Sequence, residues 1–326
     1  MTLSDPVFRS KLRDDLEAFI SQKRASGYPY HTSSKVLGYL DTMIAEDYPD
    51  CSTLSKEICD AWIRKCSVLH QNTLLRRVTP VRPFAKYLVG TGKSAYIIPS
   101  GIPRKQIRYD AHIFTEAELK AFFTSIDACK KSHFSPLRCY VIPVIFRLIY
   151  TCGLRASEAR LLRTDDIDLS TGKIFIRESK GWEARIVFVS DDMLDLLCRY
   201  DRIIRDTYPD RTAFFPNQSG DYYSKSTLDE WFHEFWDKLP EAAVTKGNPP
   251  RVHDFRHSYC VYRLNQWVRE HADLNALYPY LSEFMGHSNF ADTDYYLTLA
   301  EPFYSEFESR MYSVNASILP EVPHED

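Results

Sequence analysis

Strand-like alternation is concentrated in one place along this chain. The runs "KIFIRES" and "RIVFVS", within residues 173–190, are rich in β-branched and aromatic residues and are joined by "KGWEA", which reads as a β-hairpin. The remaining periodicity is helical. In "DPVFRSKLRDDLEAFISQKRASG" the apolar residues Phe8, Leu12, Leu16, Phe19 and Ile20 form a stripe that ends at Gly27. The chain is therefore confined to a mainly α fold with a small β-sheet.

Three further helices are expected in the first hundred residues, in "SSKVLGYLDTMIAEDY", "SKEICDAWIRKC" and "TLLRRVTPVRPFAKYLVGTG". The last carries Arg76, Arg77, Arg82 and Lys86, and its prolines at 80 and 83 forbid an unbroken helix. A restart near Thr79, with Pro80 in the first turn, resolves the conflict. The segment 97–110, "IIPSGIPRKQIRYD", has prolines, a glycine and the basic residues Arg104, Lys105 and Arg108 without periodicity, and reads as a linker. A new helix opens at Thr115, with Glu118 in capping-box spacing. A second follows in "PLRCYVIPVIFRLIYTC", stopped by Gly153, and the pattern is helical again from Met193 onward. The division expected is a helical domain over 1–96, a linker over 97–110 and a second domain with a C-terminal tail over 111–326.

No apolar run approaches membrane-spanning length, and the N-terminus lacks the apolar core of a signal peptide, so a cytoplasmic protein is expected. Eight cysteines without a CxxC pair read as reduced thiols. The net charge of −3 conceals an asymmetry. Met1 to Tyr109 holds 17 Lys and Arg against 10 Asp and Glu, a balance of +7; the remainder holds 24 against 34. A basic N-terminal part on an acidic body suggests a polyanionic partner, the alternative being chance asymmetry. Arg76, Arg77, Arg82 and Lys86, with the linker residues Arg104, Lys105 and Arg108, are the candidate phosphate contacts.

The remaining candidates lie beyond the linker. In "TCGLRASEARLL" Arg155 stands between a helix stop and a helix starting near Ser157, beside N–H groups and the positive end of a helix dipole, a natural anion site. In "RVHDFRHSYC" His253 and Arg256 share a helical face, with His257 one turn from His253. A zinc-binding histidine pair is the rival reading, but a guanidinium suits a phosphate better than a divalent cation. Lys180 lies at the hairpin tip, where an ammonium can protonate a leaving oxygen. In "FMGHSNFADTDYYLTLA" His287 precedes the adjacent Tyr295 and Tyr296. Arginines and histidines can stabilise a phosphodiester in displacement, and a tyrosine can hold the phosphorus covalently, without a metal or any other cofactor. Residue chemistry alone leaves both tyrosines open, although helical neighbours about 100° apart cannot face one phosphate together.

The segments "GLRASEARLL", Lys180 in its hairpin, "HDFRHS", "MGHS" and "TDYYL" resemble, in order and spacing, the boxes of the tyrosine recombinases or phage integrases. The likeness spans residues 112 to about 300, and the first hundred residues resemble the family's helical core-binding domain more loosely. The resemblance implies a mixed α/β catalytic domain, with Arg155 and Arg256 clamping the scissile phosphate. His253 and His287 would hydrogen-bond to it, and Lys180 would act as general acid. The family's tyrosine comes nine residues after the last histidine in a T-x-x-Y pattern, which selects Tyr296. One departure is Phe255, where leucine is usual. A site-specific DNA recombinase acting through a 3′-phosphotyrosine is thereby implied, as a two-domain clamp on double-stranded DNA and a homotetramer on synapsed sites. No domain is expected before the helical one, hence no separate arm-type DNA site. The acidic tail could dock on a neighbouring protomer or be disordered. The rivals are a type IB topoisomerase or telomere resolvase, and a catalytically silent DNA-binding accessory protein.

Overall fold

The computed structural model describes residues 6–103, 109–133, 135–177, 184–245, 248–286 and 290–297, the side chains of the last stretch being those of 293–296. The chain divides into two compact units, Met1–Tyr109 and Asp110–Asp326.

The first unit is built from α1 (Arg13–Ala25), α2 (His31–Asp47), α3 (Lys56–Ser67), α4 (Gln71–Val78) and α5 (Val81–Gly90). Its core takes one face of every helix, including Leu16, Phe19, Leu40, Ile58, Trp62 and Phe84. Ser55 starts α3 by accepting from the Ile58 N–H, the ordinary role of serine at a helix N-terminus. The buried Trp62 indole donates to the Arg77 carbonyl at 3.1 Å, which ties α3 to the end of α4. Proline breaks the fourth expected helix as its chemistry requires: α4 ends at Val78, and Pro80 stands just before α5. Arg76 and Arg77 therefore ride on α4, Arg82 and Lys86 on α5.

The second unit opens with α6 (Glu116–Asp127), where both bonds of the Thr115–Glu118 capping box are made. The apolar α7 (Arg138–Thr151) follows, and then the short α8 (Ala156–Arg160). Strands β1 (Ile167–Asp168), β2 (Lys173–Ile176) and β3 (Arg185–Phe188) form an antiparallel sheet in that order, with Ile176 opposite Arg185. The hairpin is the expected one; β1 has only two residues and was not anticipated. The chain continues through α9 (Asp191–Arg205), α10 (Lys225–Trp236), α11 (Pro240–Val244), α12 (Val252–Arg269), α13 (Leu274–Met285) and α14 (Phe290–Leu297). Helix is not continuous after Met193: between α9 and α10 the chain forms short bridges, Arg163 with Ala213 and Pro216 with Tyr222.

Phe255 packs at the centre of this unit's core. Its ring stacks on Phe114 at 4.7 Å and meets Phe122 at 5.2 Å and Phe232 at 5.7 Å. A leucine there would forgo these aromatic pairs, so the departure from the usual motif is matched by its surroundings. Among the described residues no helix is long and apolar enough to cross a membrane. All eight cysteines are free thiols.

Candidate active site

Helix α13 ends at Gly286, whose φ of +63° turns the chain out of the helix. A helix end leaves carbonyls without intrahelical partners. Here three consecutive ones each accept from a different arginine. Phe284 O takes Arg185 Nε at 2.7 Å, Met285 O takes Arg256 Nη2, and Gly286 O takes Arg155 Nη2 at 2.8 Å. The negative end of the helix dipole thus faces three guanidinium groups.

Arg256 is 1% exposed, and its other terminal nitrogen donates to Gly153 O at 2.7 Å. Gly153 is required at this point. Its φ is +58°, and a Cβ would stand 2.7 Å from the Tyr259 ring and 3.0 Å from Met285 Sδ. The helix stop read from the sequence thus also delivers a carbonyl to Arg256. Burial first, and then the charge of Arg155, lower the Arg256 pKa to about 10, which leaves it charged at neutral pH.

Arg155 immediately precedes α8, where the sequence suggested an anion site made by helix N–H groups. The structure corrects that reading. The Arg155 N–H is taken by Glu158 Oε2 at 2.9 Å, and α8 has only five residues. Positive charge here comes from guanidinium groups instead. Glu158 is buried and also accepts from Arg155 Nη1 at 2.6 Å and from Arg185 at 2.9 and 2.8 Å. Burial alone would raise its pKa, but the hydrogen bonds and charge of Arg185, with the Arg155 N–H, hold it at about 2.

Helix α12 brings His253, Arg256 and His257 to this pocket. The two histidine rings lie 4.7 Å apart, edge to face. Burial and then the charges of Arg256, Arg251 and Arg155 lower His253 to about 4, so it is neutral at pH 7. His257 is lowered to about 3, by burial and then by His253 and the arginines.

Four successive residues of α14 have separate anchors. Thr293 Oγ1 donates to Ser282 Oγ at 3.2 Å, and Asp294 accepts from Tyr278 at 2.5 Å. Tyr295 accepts the Ala111 N–H at 3.3 Å, and its ring lies 5.9 Å from that of His257. Tyr296 is 3% exposed, its ring lies 5.4 Å from that of His257, and Arg256 and Arg155 are near enough to act on the charge of its hydroxyl. Burial raises its pKa, against the pull of Arg256 and Arg155, so the phenol is protonated in the free protein. The tyrosine that meets the arginines is Tyr296. Lys180 and His287 lie outside the described residues, as do residues 298–326 of the tail.

Residues 113–301 match the phage integrase family. A Sinorhizobium fredii protein that carries the name integrase/recombinase y4rE is 32% identical over 302 residues, which cover 90% of this chain and 93% of that one. The chain belongs to the phage integrase family and is a tyrosine-type site-specific recombinase. Two solved structures share the fold at low identity. XerH recombinase bound to palindromic difH substrate has a TM-score of 0.62 and 18% identity, over 97% of this chain and 91% of that one. A lambda integrase tetramer bound to a Holliday junction has a TM-score of 0.63 and 11% identity, over 87% and 76%.

In the recombinase's first unit, Arg76 and Arg77 line a groove of about 530 Å³ between the start of α2 and α4. His31, Lys35 and Tyr39 line it too, and the Arg77 guanidinium lies 5.0 Å over the Tyr39 ring. Lys86 is exposed on α5. Arg82 is employed differently: it donates to Ile98 O and Pro99 O, both at 3.1 Å, and to Ile102 O, which ties the following segment to α5. Arg104, Lys105 and Arg108 lie outside the described residues. Lys35 and His31, on α2, were not among the sequence candidates, because a groove lined by two helices distant in sequence leaves no local signal. Glu158 was within reach, since R-x-x-E repeats the spacing of a capping box.

Proposed function

We propose that Tyr296 attacks the scissile phosphate of double-stranded DNA while Arg155 and Arg256 hold its non-bridging oxygens. A bond forms between the tyrosine oxygen and phosphorus, and the bond to the 5′ oxygen breaks. The product is a 3′-phosphotyrosine and a free 5′-hydroxyl, whose proton comes from Lys180. Neutral His253 donates a hydrogen bond to the phosphate, and His287 is assigned a second. Reversal against a 5′-hydroxyl from another strand rejoins the DNA. The observation that carries this reading is the burial of Tyr296 against His257 on the Arg256 helix, with its hydroxyl in the field of Arg256 and Arg155. Tyr296 is protonated in the free protein, so its proton must leave as the bond to phosphorus forms, and the neutral imidazole of His257, whose ring lies 5.4 Å from that of Tyr296, is assigned as its acceptor.

The basic first unit is assigned as the core-binding domain, with Arg76, Arg77 and Lys86 on phosphates. The working form is a homotetramer on two synapsed sites, acting in the cytoplasm at the nucleoid. Support comes from the shared fold of the lambda integrase tetramer on its junction and from the +7 balance of residues 1–109. Incubation with a nicked duplex followed by a denaturing gel tests the chemistry. Wild type and Tyr295→Phe should give a protein–DNA adduct and Tyr296→Phe none. The reverse pattern would reassign the nucleophile, and no adduct from any form would favour a silent DNA-binding protein.

A further inference from the structure

Arg185 is the one member of the arginine cluster to which the proposed chemistry gives no task. It occupies the last rung of the β2–β3 ladder, opposite Ile176. Strand parity turns it inward with Val187, while Ile186 and Phe188 are 43% and 62% exposed. A guanidinium placed in a core face needs partners, and this one is well supplied. Its side chain is 3% exposed, grips Glu158 with both terminal nitrogens and reaches the Phe284 carbonyl with Nε.

The charge balance of this arrangement has a chemical consequence. Glu158 is shared between Arg185 and Arg155, each of its oxygens accepting from both residues. Two guanidinium groups on one carboxylate leave a net positive charge. With Arg185 removed, Glu158 and Arg155 would form a neutral pair, and Arg155 would be held toward its carboxylate. We propose that Arg185 is a positioning residue for phosphate activation: by balancing Glu158 it keeps the charge of Arg155 available to the scissile phosphate. It also fixes Arg155 against the same helix end that both arginines bind, at Phe284 and Gly286. This inference rests on the reading of Arg155 as a phosphate ligand.

The test compares single-turnover cleavage, at saturating DNA, of an ordinary linkage and a methylphosphonate linkage at the scissile position. The methylphosphonate is neutral and asks less of the cations around it. Arg155→Ala serves as the reference. Arg185→Met should bind DNA as wild type does and cleave the ordinary linkage roughly 10–100-fold more slowly. Its deficit should shrink on the neutral linkage in parallel with that of Arg155→Ala. Arg185→Lys, which keeps the charge, should recover most of the rate. The double variant Glu158→Gln/Arg185→Met leaves no buried carboxylate to neutralise Arg155, so it should cleave faster than Arg185→Met. It also provides the comparison should Arg185→Met fail to fold, and should then show a smaller deficit than Arg155→Ala. An undiminished rate in Arg185→Met, an equal deficit on both linkages, or a double variant as slow as Arg155→Ala would overturn the proposal. Failure of the underlying reading looks different: the wild type forms no adduct, or Arg155→Ala is equally slow on both linkages.

Discussion

Replacing Arg256 with methionine keeps most of the side-chain volume and removes two hydrogen bonds and a charge. Gly153 O and Met285 O both lose the guanidinium that they face. A buried acceptor left without a donor costs roughly 1–3 kcal/mol, and relief from guanidinium desolvation returns part of this, so the net loss is about 3 kcal/mol. In a domain of this size each kcal/mol lowers Tm by roughly 2–4 °C, giving an expected drop of roughly 6–12 °C. Cleavage should suffer separately. Removal of one preorganised donor from a charged transition state costs about 10²–10³ in rate, and the loss should remain after correction for the folded fraction. Arg155→Ala vacates one carbonyl, Gly286 O, and leaves Glu158 paired with Arg185. Its Tm should therefore fall less for a similar loss of cleavage. Calorimetry and single-turnover trapping at a temperature where all variants are folded separate the two effects. Arg256→Met with an unchanged Tm would refute the structural half of the argument, and unchanged cleavage per folded molecule would refute the catalytic half.

The two buried histidines should make the second unit sensitive to mild acid. His253 and His257 titrate at about 4 and about 3 in the fold, whereas exposed histidine titrates near 6.5. The unfolded chain therefore binds more protons between these values, and stability is full above about pH 6.5 and falls as pH drops toward 4. Glu158, lowered from 4.5 to about 2, keeps its contribution above about pH 4.5 and loses it progressively as pH falls toward 2. Urea midpoints from pH 7 to 4 should decline, and His253→Asn/His257→Asn should flatten the decline; an unaltered slope would count against it. Arg76→Ala/Arg77→Ala should weaken specific and random DNA binding alike and reduce the salt slope by about one unit per lost phosphate contact. Gel shifts at two salt concentrations with no change in either quantity would place the contacts elsewhere. Lys180→Ala should cleave poorly at an ordinary linkage and recover when the 5′ bridging oxygen is sulfur, since a thiolate leaves without a proton. Equal impairment on both would deny Lys180 its role as acid.

Local chemistry announced much of this protein. Proline geometry broke the chain between α4 and α5, the Thr115–Glu118 spacing capped α6, and period-two alternation made the hairpin, because each depends on neighbours within a few residues. The order of the arginine, histidine and tyrosine boxes carried the family. What the local pattern could not state was which partners those residues meet. Gly153, read as a helix stop, also supplies a carbonyl to Arg256 from 103 residues away. Glu158 and Arg185, 27 residues apart and on different elements, share a buried ion pair that no spacing rule foretells. Arg82 looked like its basic neighbours until the fold turned its guanidinium onto its own backbone. Tyr295 and Tyr296 are chemically the same, and residue chemistry alone gave no ground for choosing between them. In the tertiary structure both rings stand against His257, but the Tyr295 hydroxyl accepts the Ala111 N–H whereas Tyr296 is buried in the field of Arg256 and Arg155. Hydrogen bonds and desolvation act through space, so they take their values only when distant segments have been packed against one another.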